Sequence, residues 1–198
     1  MPQPNIIIIM TDQQQARCCR REGFALDTTP FLDGWARRGT WFNRAYTTMP
    51  VCAPARVSML TGRYPNATGV RTNHQVNKAR YQTDLLDVLK GRGYVCAMIG
   101  KNHSHWKRDR LDYWYEFGHG GAIGEDTSAT DDEREFDRWL RELRHGVSDK
   151  PTPFPLELQP PYRLVGRAAK WIREKSNKQP LFMWLSFAEP HNPYQVPE

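Results

Sequence analysis

The run Ile6-Ile7-Ile8-Ile9-Met10 is the feature that most narrows what this chain can fold into. A strand with one wet face alternates apolar and polar residues. A stretch that is apolar at every position suits a central strand of a parallel sheet, covered on both faces. Two more buried strands are predicted, one over Tyr94-Val95-Cys96-Ala97-Met98-Ile99 and one over Pro180 to Phe187. Amphipathic helices precede them, Thr83 to Gly91 before the first and Tyr162 to Ser176 before the second. Strand, helix and strand in this rhythm argue for parallel pairing through right-handed crossovers. The expected fold class is α/β, a mostly parallel central sheet with helices on both faces. At 198 residues the chain can bury one good core and is a single domain by length.

Open α/β sheets place ligands at the C-terminal ends of their strands, so the residues just beyond each strand carry the chemistry. Thr11-Asp12-Gln13 follows the first strand, Gly100-Lys101-Asn102-His103 the second, and Ala188-Glu189-Pro190-His191-Asn192-Pro193-Tyr194 the third. Taken singly, Asp12 reads as a turn cap and His191 as a histidine in a Pro-bracketed turn. The stretch from Pro50 to Arg63 is more specific. Cys52 is expected two residues before a helix, with Pro54 at the first helical position. Helix N–H groups and the positive helix end then favour an anion beside the Cys52 side chain. Arg56 adds a guanidinium fork suited to a planar, multi-oxygen acid. Chemistry alone describes an oxyanion site built around a nucleophile, whereas Cys52 by itself reads as a buried apolar thiol.

Cys52-Ala53-Pro54-Ala55-Arg56 followed by Thr61-Gly62-Arg63 resembles the signature of the type I sulfatases, members of the alkaline phosphatase superfamily, whose cysteine is oxidised to formylglycine. The resemblance runs from Asn5–Asp12 through Pro190–Tyr194 in the family's order. It implies that Cys52, Arg56, Lys101, His103 and His191 are catalytic. It also implies that Asp12, Gln13 and Cys52 lie at a divalent cation, Ca2+ before Mg2+ or Mn2+. Gln13 departs from the family's acidic pair and offers a neutral oxygen with less charge for a hard cation. Lys101 would meet a sulfate oxygen, His103 the formylglycine, and His191 the leaving group. Asn102 stands where the family's motif has Trp. Asn73 is read two ways, near the substrate oxyanion with Lys101 and His191, or as a surface-loop residue. His105 inherits no role. By resemblance the chain takes part in sulfate ester hydrolysis. Its partners are then a sulfated small molecule or carbohydrate and a formylglycine-generating or anaerobic maturase.

Two other chemistries compete with this reading. Phosphonate or phosphate monoester hydrolysis occurs on the same fold, although phosphonate hydrolases tend to lack the Lys101 and His103 pair. A direct cysteine phosphatase needs a longer loop than the three residues between Cys52 and Arg56. A third reading is a non-catalytic truncated product. The family's metal site is completed far downstream, so residues 1–198 are expected to be the N-terminal part of a sulfatase catalytic domain, lacking its C-terminal strands and subdomain.

The remaining text reads as scaffold. Thr29 to Gly39 is a short helix whose Phe31, Leu32, Trp35 and Ala36 are expected to pack into the core, and Trp41 to Tyr46 a strand-like approach to Cys52. Arg63 to Val70 is turn-rich, Trp106 to Gly124 has no clear period, and Pro151 to Pro161 is an extended connector. Asp131 to His145 is a charged helix with Phe136, Trp139, Leu140 and Leu143 on one stripe. A formal net charge of +6 would suit an anionic partner, but no aromatic-interleaved basic stripe marks a nucleic-acid interface. A solvated basic surface is the expectation, with neither nucleic acid nor membrane as partner. Cys18, Cys19, Cys52 and Cys96 form no zinc or disulfide pattern. Met1-Pro2-Gln3-Pro4 lacks the marks of a secretory leader, so the expected location is cytoplasmic as written, or periplasmic or secreted behind a missing leader.

Overall fold

The computed structural model describes residues 3–124, 126–175 and 179–197. In chain order the regular elements are β1 (Ile6–Met10), α1 (Pro30–Ala36), α2 (Cys52–Thr61), α3 (Pro65–Thr68), α4 (Leu85–Gly91), β2 (Val95–Gly100), β3 (Tyr113–Gly118), β4 (Gly121–Ala122), α5 (Asp131–Glu142), α6 (Pro160–Lys175) and β5 (Leu181–Ser186). Met1, Pro2 and Ser176, at which two of the readings above begin or end, lie outside the described residues. Among the described residues five strands lie in the order β1-β5-β2-β3-β4. All neighbours are parallel except β3 and β4, which form an antiparallel hairpin.

Alternation along β2 and β5 divides the core into two layers. Cys96 and Met98 of β2 and Phe182 and Trp184 of β5 face Leu60 of α2 and Leu86 and Leu89 of α4. Ala97 and Ile99, with Leu181, Met183 and Leu185, face Leu164, Ala168 and Trp171 of α6. Helices therefore cover both faces, as the apolar runs require.

β1 is not the central strand that its composition predicts. It pairs only with β5 among the described strands, and Ile7 and Ile9 are 47% and 50% exposed. Ile6, Ile8 and Met10 pack on the α2 and α4 side, while no helix among the described residues covers the opposite face of this strand. Helix α1 also departs from expectation, because Phe31 is 67% and Trp35 49% exposed and none of its residues is buried. An apolar stripe states that a face wants cover, not that the chain supplies it. Residues 41–46 form no strand, residues 65–68 form a helical turn capped by Gly69, and the unperiodic stretch after Trp106 holds β3.

Asp84 organises the loop leaving β2. Its carboxylate forms a capping box with Asp87 at the start of α4. It also accepts from Trp106 Nε1 at 2.9 Å and from both Arg110 guanidinium nitrogens at 2.8 and 3.1 Å, and lies 2.8 Å from His105 Nε2. Burial alone would raise the Asp84 pKa, but bonds from His105 and Arg110 reverse this and hold it well below the carboxylate range. Residues 101–106, between β2 and this anchor, carry Lys101 and His103.

Candidate active site

Helix α2 begins at Cys52 itself, with Val51 as its N-cap, so Pro54 is the third helical residue rather than the first. That position is equally permissive, because the first turn has no intrahelical acceptor for its N–H groups. The Ala53 N–H donates to Asn73 Oδ1 at 2.9 Å. Asn73, exposed overall, thus ties a loop to the start of α2 through its carbonyl oxygen.

The Cys52 side chain meets residues from two strand ends. Its Sγ lies 3.6 Å from Asp12 Oδ2, just beyond β1, and accepts from Lys101 Nζ, just beyond β2, at 3.6 Å. Lys101 Nζ also donates to Asp12 Oδ2, and the lysine is 1% exposed. Arg56 lies one turn into α2 and is buried. Its Nη1 donates to Ser186 Oγ at 2.7 Å and to the Lys101 carbonyl at 2.8 Å, and its Nη2 to Asp12 Oδ2 at 3.4 Å. The guanidinium also sits 5.5 Å from the Trp184 ring centroid. One helix turn and three strand ends are thereby locked together.

The strand ends meet through backbone as well. Lys101 N–H donates to the Ser186 carbonyl at 2.7 Å, and Asp12 N–H to the Glu189 carbonyl at 3.1 Å. Gly100 has φ +103°, and a Cβ there would stand 1.9 Å from the Ser186 oxygen, so only glycine fits.

The pocket is cationic around one carboxylate. Burial would raise the Asp12 pKa, but Lys101, Arg56 and His191 carry it below the usual value, so Asp12 is ionised. His103, at φ +42°, is half-buried, and its buried Nδ1 meets no partner among the described residues. Burial, with the charges of Lys101 and Arg56, pushes it down to about 4 and leaves it neutral near pH 7. His191 follows β5 and stacks on His119, ring centroids 4.0 Å apart.

His119 belongs to the turn between β3 and β4 and escaped the sequence reading. Its Nε2 is 2.7 Å from Lys101 Nζ. The signal that could have found it was a histidine flanked by glycines, but the strand delivering it was not recognised. Gln13, at φ +61°, is exposed and lines another cleft with Thr11, Gln14 and Glu189. Among the described residues no group of three or more His, Cys, Asp or Glu side chains is placed to hold a metal ion. Asp12 is one carboxylate already bonded to Lys101 and Arg56, so these residues alone do not fit a hard divalent cation.

The Sulfatase family model matches residues 4–198. An arylsulfatase of Clostridium perfringens (strain 13 / Type A) is 26% identical, the match covering 98% of this chain and 45% of that protein. Among solved structures, a phosphonate monoester hydrolase of Agrobacterium radiobacter superimposes with TM-score 0.76 at 21% identity, over 99% of this chain and 43% of that one. A structure described as a complex with its substrate D-glucosamine-2-N,6-O-disulfate gives TM-score 0.64 at 22% identity, over 96% and 35%. The chain thus spans less than half the length of these relatives. No described helix is long and apolar enough to cross a membrane.

Proposed function

The chain belongs to the sulfatase family, and on that premise we propose that it carries the nucleophile side of a sulfuric ester hydrolase active site. The observation that carries this reading is Cys52 Sγ at a helix start, 3.6 Å from both Lys101 Nζ and Asp12 Oδ2, beside the buried Arg56. The chain's share of its relatives' length supports its being the N-terminal part of a longer catalytic domain. A sulfated small molecule or carbohydrate is the proposed substrate class.

Cys52 fits conversion to formylglycine, since its side chain reaches from the first helical position into a pocket of fixed polar groups. Formylglycine supplies a hydrated aldehyde oxygen as the nucleophile, and its maker is a formylglycine-generating or anaerobic maturase. Lys101 Nζ and the Arg56 guanidinium hold fixed positive charge where ester oxygens gather negative charge in the transition state. Both are held in place before substrate arrives, so little reorganisation is needed. His103, neutral and free at Nδ1, can take up a proton there. His191 is the proposed proton donor to the leaving alcohol. A divalent cation, calcium by resemblance, would need ligands beyond Asp12, Gln13 and Cys52.

The test is turnover of an aryl sulfate by the full chain with Ca2+, beside an aryl phosphate and an aryl phosphonate. Sulfate is expected to be the preferred ester, and Cys52→Ala to fall to background. Lys101→Ala should lose about 10²–10³ in kcat. A peptide spanning Cys52 should weigh about 18 Da less than its cysteine form when matured. Undiminished turnover by Cys52→Ala would remove the nucleophile from the reading. Preference for the phosphonate would move it to the second chemistry of this fold.

A further inference from the structure

Lysine is a point charge on a flexible stem with three donors and no acceptor, so its aim is set by what surrounds it. At Lys101 those surroundings are unusually complete. One donor goes to Asp12 Oδ2, one to Cys52 Sγ and one to His119 Nε2. Without the third partner, only Asp12 and Cys52 would set the aim of the ammonium. We propose that His119 is a positioning residue that accepts a hydrogen bond at Nε2 from the Lys101 ammonium and holds that cation in line with Cys52. The catalytic meaning of this rests on the function proposed above; its test does not.

Two features hold His119 in place. The hairpin carrying it is anchored from behind, because Asp137 of α5 accepts from the Ala122 N–H at 3.1 Å and from Arg163 of α6 at 2.7 Å. Gly121 lets that carboxylate come close, since a Cβ there would stand 2.3 Å from Asp137. On the pocket side the ring lies 4.0 Å from His191 and 6.1 Å from His103, centroid to centroid.

The contact also fixes a tautomer. Lysine cannot accept, so the imidazole lone pair must be at Nε2 and the proton at Nδ1. A protonated ring would set two cations 2.7 Å apart. Burial, with Lys101, His191 and His103 nearby, pushes His119 down to about 3, in agreement with a neutral acceptor. His119 Nδ1 is buried and meets no partner among the described residues.

Nitrogen-15 spectra of the full chain at pH 7 test this directly. His119 is expected to show a protonated Nδ1 and a bare Nε2; a protonated Nε2 overturns the proposal whatever else is found. Exchange of the Lys101 ammonium protons with water is the second readout, in chains whose melting curves match the parent. His119→Gln can return an acceptor oxygen close to the Nε2 position and should exchange as slowly as the parent. His119→Asn, too short, and His119→Leu, without an acceptor, should exchange about tenfold faster or more. Equal exchange in all four, or Gln behaving as Leu, overturns the proposal. If the Leu or Asn chain does not fold, the tautomer spectrum of the parent decides. Neither readout needs an ester to be cleaved, so a chain without sulfatase turnover still sustains or sinks the role of His119.

Discussion

Gly100 sets how closely the ends of β2 and β5 approach, and through them where Lys101 sits. Its left-handed backbone lets the Lys101 N–H reach the Ser186 carbonyl at 2.7 Å. A methyl group at this position has no room and no permissive φ. Gly100→Ala is expected to destabilise the chain by more than about 2 kcal/mol, read as a lowered denaturation midpoint. At the same scale, Asp12, Cys52, Arg56 and Lys101 were legible in the sequence. Asp12, Cys52 and Lys101 stand at strand ends or a helix start recognisable from local pattern and Arg56 one turn further on, while the family resemblance is what drew them to one pocket. His119 was not legible. The Tyr113–Gly118 segment mixes large aromatics with a glutamate, and its burial is partial rather than alternating, so no period marks it as a strand. Gln13 shows the converse limit. Sequence position puts it beside Asp12, but a positive φ sends its side chain to a different cleft.

Among the elements, the loop after β2 and the turn between β3 and β4 concentrate the acid sensitivity of the fold, through His103 and His119. His103 and His119 are held neutral, at about 4 and about 3, against an ordinary histidine value near 6.5. Below about pH 6.5 the unfolded chain binds protons that these folded histidines refuse. Stability should therefore fall as pH drops from about 6.5 towards 4. Asp84 and Asp12 act in a lower window, since their folded values are depressed. Their contribution is complete above an unfolded carboxylate value of about 3.9 and is lost as pH falls below it. Urea midpoints between pH 8 and pH 3 should trace both slopes, and His119→Gln should flatten the upper one. β2 and β5 were legible as continuous apolar runs, and α4, α5 and α6 as apolar stripes at helical period, each with clear stop signals. α1 shows where such reading ends. Its stripe is present as expected, yet the neighbouring chain does not cover it.

For the molecule as a whole, two layers of helix protect β2 and β5, and the sheet thins outward to β1. Parallel sheets are stable when both faces are covered, and here that holds only in the middle. Ile7 and Ile9 present half-exposed apolar side chains beside a strand edge with no partner among the described residues. Such an edge is a template for another backbone. The chain alone is expected to sediment faster as its concentration rises. Ile7→Lys with Ile9→Lys should abolish that rise and leave the melting curve close to the parent's, because both positions are half in water already. Association unchanged in the double variant would place the sticky surface elsewhere, at the aromatics of α1.

The rim along β1 ends one residue short of Asp12, whose carboxylate Lys101 and Cys52 share. Any backbone that zips onto this border would stiffen the peptide leading to that carboxylate from the side β5 does not reach. Crowding at the border and order in the Cys52 pocket are thus mechanically joined. A sample's history of dilution becomes a variable to control whenever its chemistry is measured.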